Sequence, residues 1–117
     1  IHTICDAILG AANLGDIGKH FPDTSDKYKG IDSKILLKEV MLLVREKGYE
    51  IGNIDSTICL QTPKIGPYIT EMQKVLASCM GVDVDLVSIK ATTTEKLSFV
   101  GREEGVSAYA TVLIQKA

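Results

Sequence analysis

The sequence predicts a two-layer α/β domain of the α+β kind, in which a mixed β-sheet carries helices on one face. Segments with helical periodicity alternate with strand-like segments in the order helix, helix, strand, helix, strand, strand. The chain has 117 residues, of which 45% are hydrophobic and 24% are charged. That length and composition are ordinary for one globular domain with a substantial core. We therefore expect a single domain over residues 1–117.

The first helix is predicted over Ile1–Leu14, with Gly15 as its stop. Most sides of this segment are apolar, so we expect it to be buried. His2 and Asp6 would then be polar groups on a covered helix and would need partners. His2 is either a metal ligand or a hydrogen-bonded structural histidine, and Asp6 could fix the tautomer of its ring or brace the site.

A long loop over residues 15–30 follows, and loops of this length inside a domain are usually functional or mobile. After it, Asp32 and Ser33 are typical of a helix N-cap, and the helix should run to about Lys47. The next segment, Tyr49–Leu60, has strand character. Asp55 interrupts it and suggests either an edge strand or a bulge near its start.

The second half of the chain contains a helix over Tyr68–Met80, with Tyr68 among the side chains that face inward. Strands are predicted over Val87–Lys90 and Val106–Gln115. The last strand alternates, so one face is apolar and the other carries Tyr109 and Leu113. A partner subunit would cover that second face better than water.

Composition excludes several classes of function. A net charge of −2 and a pI near 5.6 leave no basic surface for nucleic acid. No apolar run approaches the roughly 18 residues that a membrane span needs. Three widely spaced cysteines indicate free core thiols in a reducing compartment. There is no Walker loop and no GxGxxG motif, so the common nucleotide-binding folds are not indicated.

Chemistry is concentrated in the segment 91–105, between the last two strands. Thr92, Thr93 and Thr94 are hydrogen-bond donors, Glu95 is a hard oxygen ligand and Arg102 suits phosphate. The segment is therefore either a site for a phosphorylated ligand with a divalent ion or a threonine-rich turn with a solvated charged rim. Asp16-Ile17-Gly18 and Pro63–Pro67 leave a similar choice between ligand contacts and plain connections.

Taken together, the motifs form an ordered set. They are His2-x₃-Asp6, Gly10–Thr24, Pro63-Lys64, Ala91–Leu97, Phe99, Gly101-Arg102 and Glu104-Gly105. In this order, and in register over the whole chain, they closely resemble the 2-C-methyl-D-erythritol 2,4-cyclodiphosphate synthase family of the non-mevalonate route to isoprenoids.

The resemblance implies a homotrimer that packs through its sheets, with active sites between subunits. It implies that His2 is a ligand of Zn²⁺, that Glu95 holds Mg²⁺ or Mn²⁺, and that Thr93 stabilises the transition state. The methylerythritol phosphate would be bound by Asp16, Ile17 and Gly18, under a closing loop of Phe21, Pro22, Asp23, Thr24 and Ser25. Cytidine diphosphate would be surrounded by Leu60, Gln61, Thr62, Pro63, Lys64, Ile65, Gly66, Thr92, Thr93, Thr94 and Glu95. The last two implied binding residues, Phe99 and Arg102, would lie beside the trimer channel.

The implied reaction is that of a metal-dependent phosphorus–oxygen lyase. The 2-phosphate of 4-diphosphocytidyl-2-C-methyl-D-erythritol 2-phosphate attacks the β-phosphorus, closes a ring and expels CMP. This resemblance places the enzyme in the bacterial cytoplasm or a plastid-type stroma.

One part of the family's pattern does not occur in this sequence. The family's first segment carries an Asp-x-His pair, which supplies two further zinc ligands, and a later His-Ser pair. We therefore expect the chain to lack the N-terminal strand region of its domain. If those ligands are truly absent, the alternative is a non-catalytic, trimeric module that binds cytidine nucleotides.

Overall fold

The computed structural model describes residues 1–117, and its elements follow the predicted order. The helices and strands are α1 (His2–Ala11), α2 (Ile17–His20), α3 (Ser33–Glu46), β1 (Tyr49–Cys59), α4 (Ile69–Met80), β2 (Val87–Thr92), α5 (Ser98–Gly101) and β3 (Ser107–Lys116). Two short helices, α2 and α5, lie inside segments that the sequence predicted as loops. The Asp32 side chain accepts a hydrogen bond from the Lys34 N–H at 2.9 Å, so the predicted cap of α3 is confirmed.

The sheet has the order β2-β1-β3, with β2 parallel and β3 antiparallel to the central β1. Because β1 and β2 run in the same direction, their carboxyl ends lie at the same edge of the sheet. The antiparallel β3 begins at that edge. The loops that follow β1 and β2 are therefore neighbours, although about 30 residues separate them in sequence.

The central strand contains a bulge near its start. The register between β1 and β3 shifts at Gly52, between Ile51 and Asn53. Ile51 and Ile54 are both buried although three positions separate them, and strict alternation alone would place them on opposite faces. Of the two alternatives for Asp55, the bulge near the start is confirmed and the edge strand is wrong.

Helices α1, α3 and α4 form the second layer and cover one face of the sheet. The largest fully buried side chains are Ile8, Leu9, Leu37, Met41, Ile54 and Met80. Burying a side chain of this size contributes about 1.5–3 kcal/mol. The predicted two-layer fold with helices on one face is therefore confirmed.

The opposite face of the sheet is uncovered in the single chain. Tyr109 and Leu113 stand on it with 65% and 63% of their surfaces exposed, and Thr111 lies between them. The sequence predicted this uncovered face, and its cover by a partner subunit stays a prediction.

Two predictions about burial are wrong. His2 and Asp6 are exposed, because α1 packs against α3 and β3 only through its stripe of Ile4, Cys5, Ile8 and Leu9. Tyr68 was expected to face inward but is 64% exposed. It lies in a 3₁₀ turn before α4, so the helical stripe that the periodicity implied does not include it.

The three cysteines are free, as predicted. Cys5 is buried, and burial raises the pKa of its thiol to about 11. Cys59 and Cys79 are half-buried, and only Cys79 of these two packs against the core. No helix combines the length and apolar character that crossing a membrane requires.

Candidate functional site

A first cleft, of about 420 Å³, lies between the start of α1 and the loop before α3. It brings the predicted zinc ligand together with parts of the predicted methylerythritol segment. The residues that line it are His2, Ile17, Gly18, Phe21, Asp23, Tyr28, Gly30, Ile31 and Leu36. Pro22, Thr24 and Ser25 belong to the same loop but do not line the cleft. Ser25 closes a turn there, with its N–H on the Pro22 carbonyl at 3.0 Å.

The turn Asp16-Ile17-Gly18 is held by two carboxylates. Asp16 caps α2, since its Oδ1 accepts from the Lys19 N–H at 2.9 Å. Oδ1 of Asp6, on α1, accepts from the Ile17 N–H at 2.8 Å. Asp6 therefore braces the neighbouring turn and does not fix the His2 ring, which corrects half of the sequence expectation.

The partner of His2 is Ser33, whose Oγ lies 3.2 Å from His2 Nε2. Sequence reasoning did not predict this contact, because Ser33 was expected only to help begin α3 and lies 31 residues away. The bond leaves Nδ1 of the ring without a partner. Such a hydrogen bond on one ring nitrogen is the usual way in which a metal-ligating imidazole is oriented.

The donors in this chain fit a zinc site only in part. No three His, Cys, Asp or Glu side chains converge anywhere in the structure, whereas a catalytic zinc usually has three protein ligands. His2 is exposed and could supply one of them. In this single chain, no group of three such donors completes a ligand set around it.

A second cleft, of about 260 Å³, lies where β1 and β2 end. It joins two segments that the resemblance assigned to one nucleotide pocket. Its lining residues are Leu60, Gln61, Pro63, Lys64, Ile65, Gly66, Pro67, Ala91, Thr92 and Thr93. Thr62 instead lines a neighbouring cleft together with Glu103 and Glu104. Thr94 and Glu95 lie beyond the lining residues.

The two sides of the second cleft are hydrogen-bonded to each other. The Leu60 N–H donates to the Thr92 carbonyl at 3.0 Å, which continues the β1–β2 ladder. The Lys96 N–H donates to Oε1 of Gln61 at 3.2 Å. These bonds fix the distance across the cleft.

Hydrogen bonds distinguish the three threonines. Thr92 donates to the Thr93 carbonyl at 3.2 Å and Thr94 donates to the Leu97 carbonyl at 2.6 Å, so both hydroxyl protons are used inside the loop. The Thr93 hydroxyl instead accepts from the Glu95 N–H at 3.2 Å, and its proton remains free to donate. Only Thr93 thus offers the cleft a donor whose position is already fixed.

The second half of this loop is tightly closed. A side chain at Gly101 would place its Cβ 2.1 Å from the backbone carbonyl carbon of Lys96, so only glycine fits. Phe99 is 47% exposed. Arg102 donates from Nε to Glu104 Oε1 at 2.7 Å. Neither Phe99 nor Arg102 lines the first or second cleft, and their place beside a trimer channel stays a prediction.

The chain is similar to known proteins in both sequence and structure. The model of the YgbB family matches residues 1–115. The chain is 65% identical over 116 residues to the 2-C-methyl-D-erythritol 2,4-cyclodiphosphate synthase of Bacteroides fragilis, and 66% identical over 117 residues to that of Phocaeicola vulgatus. The chain covers 73% of the length of each relative. The two alignments include 99% and 100% of the chain, respectively.

Solved structures agree with this assignment. The bifunctional IspDF of Campylobacter jejuni matches 99% of the chain with a TM-score of 0.96 and 44% identity, although the chain spans only 31% of that protein. The CDP complex of IspF from Plasmodium falciparum matches 98% of the chain, which spans 69% of that protein, with a TM-score of 0.87 and 33% identity. The chain therefore belongs to the YgbB family, and within it to the 2-C-methyl-D-erythritol 2,4-cyclodiphosphate synthases.

Proposed function

We propose that this chain converts 4-diphosphocytidyl-2-C-methyl-D-erythritol 2-phosphate into 2-C-methyl-D-erythritol 2,4-cyclodiphosphate and CMP, as part of its full-length protein. The carrying observation is the second cleft, where Gln61 and Lys64 meet Thr92 and Thr93 at the shared edge of β1 and β2. Relatives with this name are about 65% identical to the chain, and a related structure holds CDP.

The reaction forms one bond and breaks one. An oxygen of the 2-phosphate attacks the β-phosphorus, the bond from that phosphorus to the bridging oxygen breaks, and CMP departs with the oxygen. The attacking phosphate is already anionic, so the protein needs no strong base. Its task is to position two phosphates and to neutralise charge.

We assign these tasks to named groups. The Asp16–Gly18 turn would bind the methylerythritol part, and Lys64 would face a phosphate. The free hydroxyl proton of Thr93 would stabilise charge that develops on the phosphoryl oxygens. His2 would supply one ligand of Zn²⁺, and Glu95 would hold Mg²⁺ or Mn²⁺. When bound, such ions act as Lewis acids and neutralise phosphate charge.

We further propose that the working unit is a homotrimer. The uncovered sheet face with Tyr109 and Leu113 supports this, since large apolar side chains on one face usually mark a contact surface. The curated relatives come from bacteria, which favours the bacterial cytoplasm over a plastid as the place of the reaction.

The direct test is to incubate the full-length protein with its substrate and follow CMP and the cyclic product by ³¹P NMR, with and without EDTA. We expect equimolar CMP and cyclodiphosphate, both abolished by the chelator. Absence of CMP from folded, metal-loaded protein would overturn the proposal. The competing hypothesis, a non-catalytic cytidine-nucleotide module, predicts CDP binding without stoichiometric zinc.

A further inference from the structure

We propose that Asp6 is a positioning residue for this reaction, which fastens the Asp16–Gly18 turn to the helix that carries His2. The inference rests on the proposed function. Its basis is the 2.8 Å hydrogen bond from the Ile17 N–H to Asp6 Oδ1, which joins residues 11 positions apart in the sequence. A hydrogen bond to an ionised carboxylate is shorter and stronger than a neutral one.

Few other hydrogen bonds hold the start of α2, although the Ile17 side chain packs against the core. The chain leaves α1 through Asn13 and Gly15, both at positive φ, and α2 has only four residues. Asp16 bonds within α2 itself, to Lys19. At the far end of α2, His20 Nε2 bonds the Leu14 carbonyl at 2.5 Å. Asp6 thus supplies the side-chain hydrogen bond that ties the first turn of α2 to α1.

The position of Asp6 on α1 gives this bond a second effect. His2 and Asp6 are four residues apart, so they lie on the same side of the helix, one turn from each other. One rigid helix therefore sets both the place of a metal ligand and the place of the turn that would hold the methylerythritol part. Any tilt of the turn relative to α1 would alter the spacing between the two.

Asp6 itself does not line the first cleft, whereas His2, Ile17 and Gly18 do. It would therefore act through the Ile17 backbone and not by touching the substrate. Misplacing a substrate-holding group by about 1 Å can cost up to about 100-fold in rate. We expect the loss of this bond to affect turnover of the whole substrate and to spare binding at the second cleft.

The test uses the full-length protein with Asp6→Ala, Asp6→Asn and, as a matched loss of one exposed carboxylate, Asp85→Ala in the turn before β2. Asn keeps an acceptor oxygen at the same place. We expect Asp6→Ala to lower kcat/KM by about 10- to 100-fold, Asp6→Asn to restore most of it, and Asp85→Ala to have no effect. CDP affinity should be the same in all variants, and amide exchange at Ile17 should quicken in Asp6→Ala alone.

The inference is overturned if Asp6→Ala keeps kcat/KM within twofold of wild type, or if its CDP affinity falls in parallel with turnover. Should Asp6→Ala fail to fold, Asp6→Glu moves the acceptor by one methylene and is expected to give the same pattern. A wild-type protein that makes no CMP would refute the proposed function instead, and the exchange of the Ile17 amide would still test the tether.

Discussion

The side-chain oxygen of Gln61 accepts a hydrogen bond from the backbone N–H of Lys96 at 3.2 Å. This single bond joins the loop after β1 to the loop after β2, 35 residues further along the chain. We expect Gln61→Ala to weaken CDP binding about fivefold, because a lost hydrogen bond of this kind costs about 1 kcal/mol. Gln61→Asn keeps an uncharged amide acceptor and should lose less affinity than Gln61→Ala. Calorimetry would show this, and equal affinity for Gln61→Ala would contradict it.

Thr93 is the one threonine of the loop with an uncommitted hydroxyl proton. Thr93→Ala should therefore reduce kcat by about 100-fold, which is typical for the loss of one donor to transition-state charge. Thr93→Ser preserves the hydroxyl and should retain most activity. Steady-state kinetics of the full-length variants would decide, and a Thr93→Ala enzyme with wild-type kcat would disprove the role.

Glu95 makes none of the ion pairs in the structure, so its carboxylate is available to a cation. Glu95→Gln should raise the Mg²⁺ or Mn²⁺ concentration required for half-maximal activity and leave zinc content unchanged. Glu46→Gln, on α3 and away from both clefts, serves as the control. A metal titration identical to that of wild type would show that Glu95 does not hold the Mg²⁺ or Mn²⁺.

The proposed trimer contact can be tested at Leu113, on the uncovered sheet face. Leu113→Asp would place a charge in the proposed subunit contact, where an unpaired charge is costly, and we expect the protein to become monomeric. Leu42 is exposed to a similar extent, 67% against 63%, but lies on the outer side of α3, so Leu42→Asp should leave the trimer intact. Analytical ultracentrifugation would measure the oligomeric state of both variants. A trimeric Leu113→Asp protein would exclude this face as the subunit contact.

The Arg45–Glu50 pair makes stability depend on pH. Hydrogen bonds from Arg45, the shortest at 2.9 Å, lower the pKa of the Glu50 carboxyl. A carboxylate with a depressed pKa stabilises the fold above its ordinary value, about 4.3, and loses that effect as pH falls through its lowered value. The pair is partly exposed, so we expect about 1 kcal/mol or less.

Urea unfolding of wild type and Glu50→Gln at several pH values would measure this contribution. The variant should be less stable at pH 7, and the difference should shrink below about pH 4. A difference that stays constant down to pH 2 would show that the effect has another origin.

The sequence identified the elements well because their signals are local. The Asp32 cap and the glycine after α4, Gly81 in the left-handed conformation, depend on a few adjacent residues. Alternation in β3 likewise shows which residues share a face. None of these signals contains the strand order, so Asp55 could not be assigned to a central strand.

Contacts between distant segments account for what sequence reasoning missed. The partner of Asp6 is the Ile17 N–H and the partner of His2 is Ser33. Both bonds depend on how α1 sits against α2 and α3, which no periodicity reveals. The resemblance placed the residues of the two clefts together. It did not show the hydrogen bonds that leave only Thr93 with a free hydroxyl proton.

The parallel pairing of β1 and β2 has a consequence for folding. The bond from the Leu60 N–H to the Thr92 carbonyl closes that ladder and joins two residues that line the second cleft. This bond can form only after the crossover through α4 has brought distant parts of the chain together, and such non-local closures are slow steps. Fraying of this ladder would open the cleft, so a nucleotide that binds there also holds the two strands together and raises the free energy of unfolding.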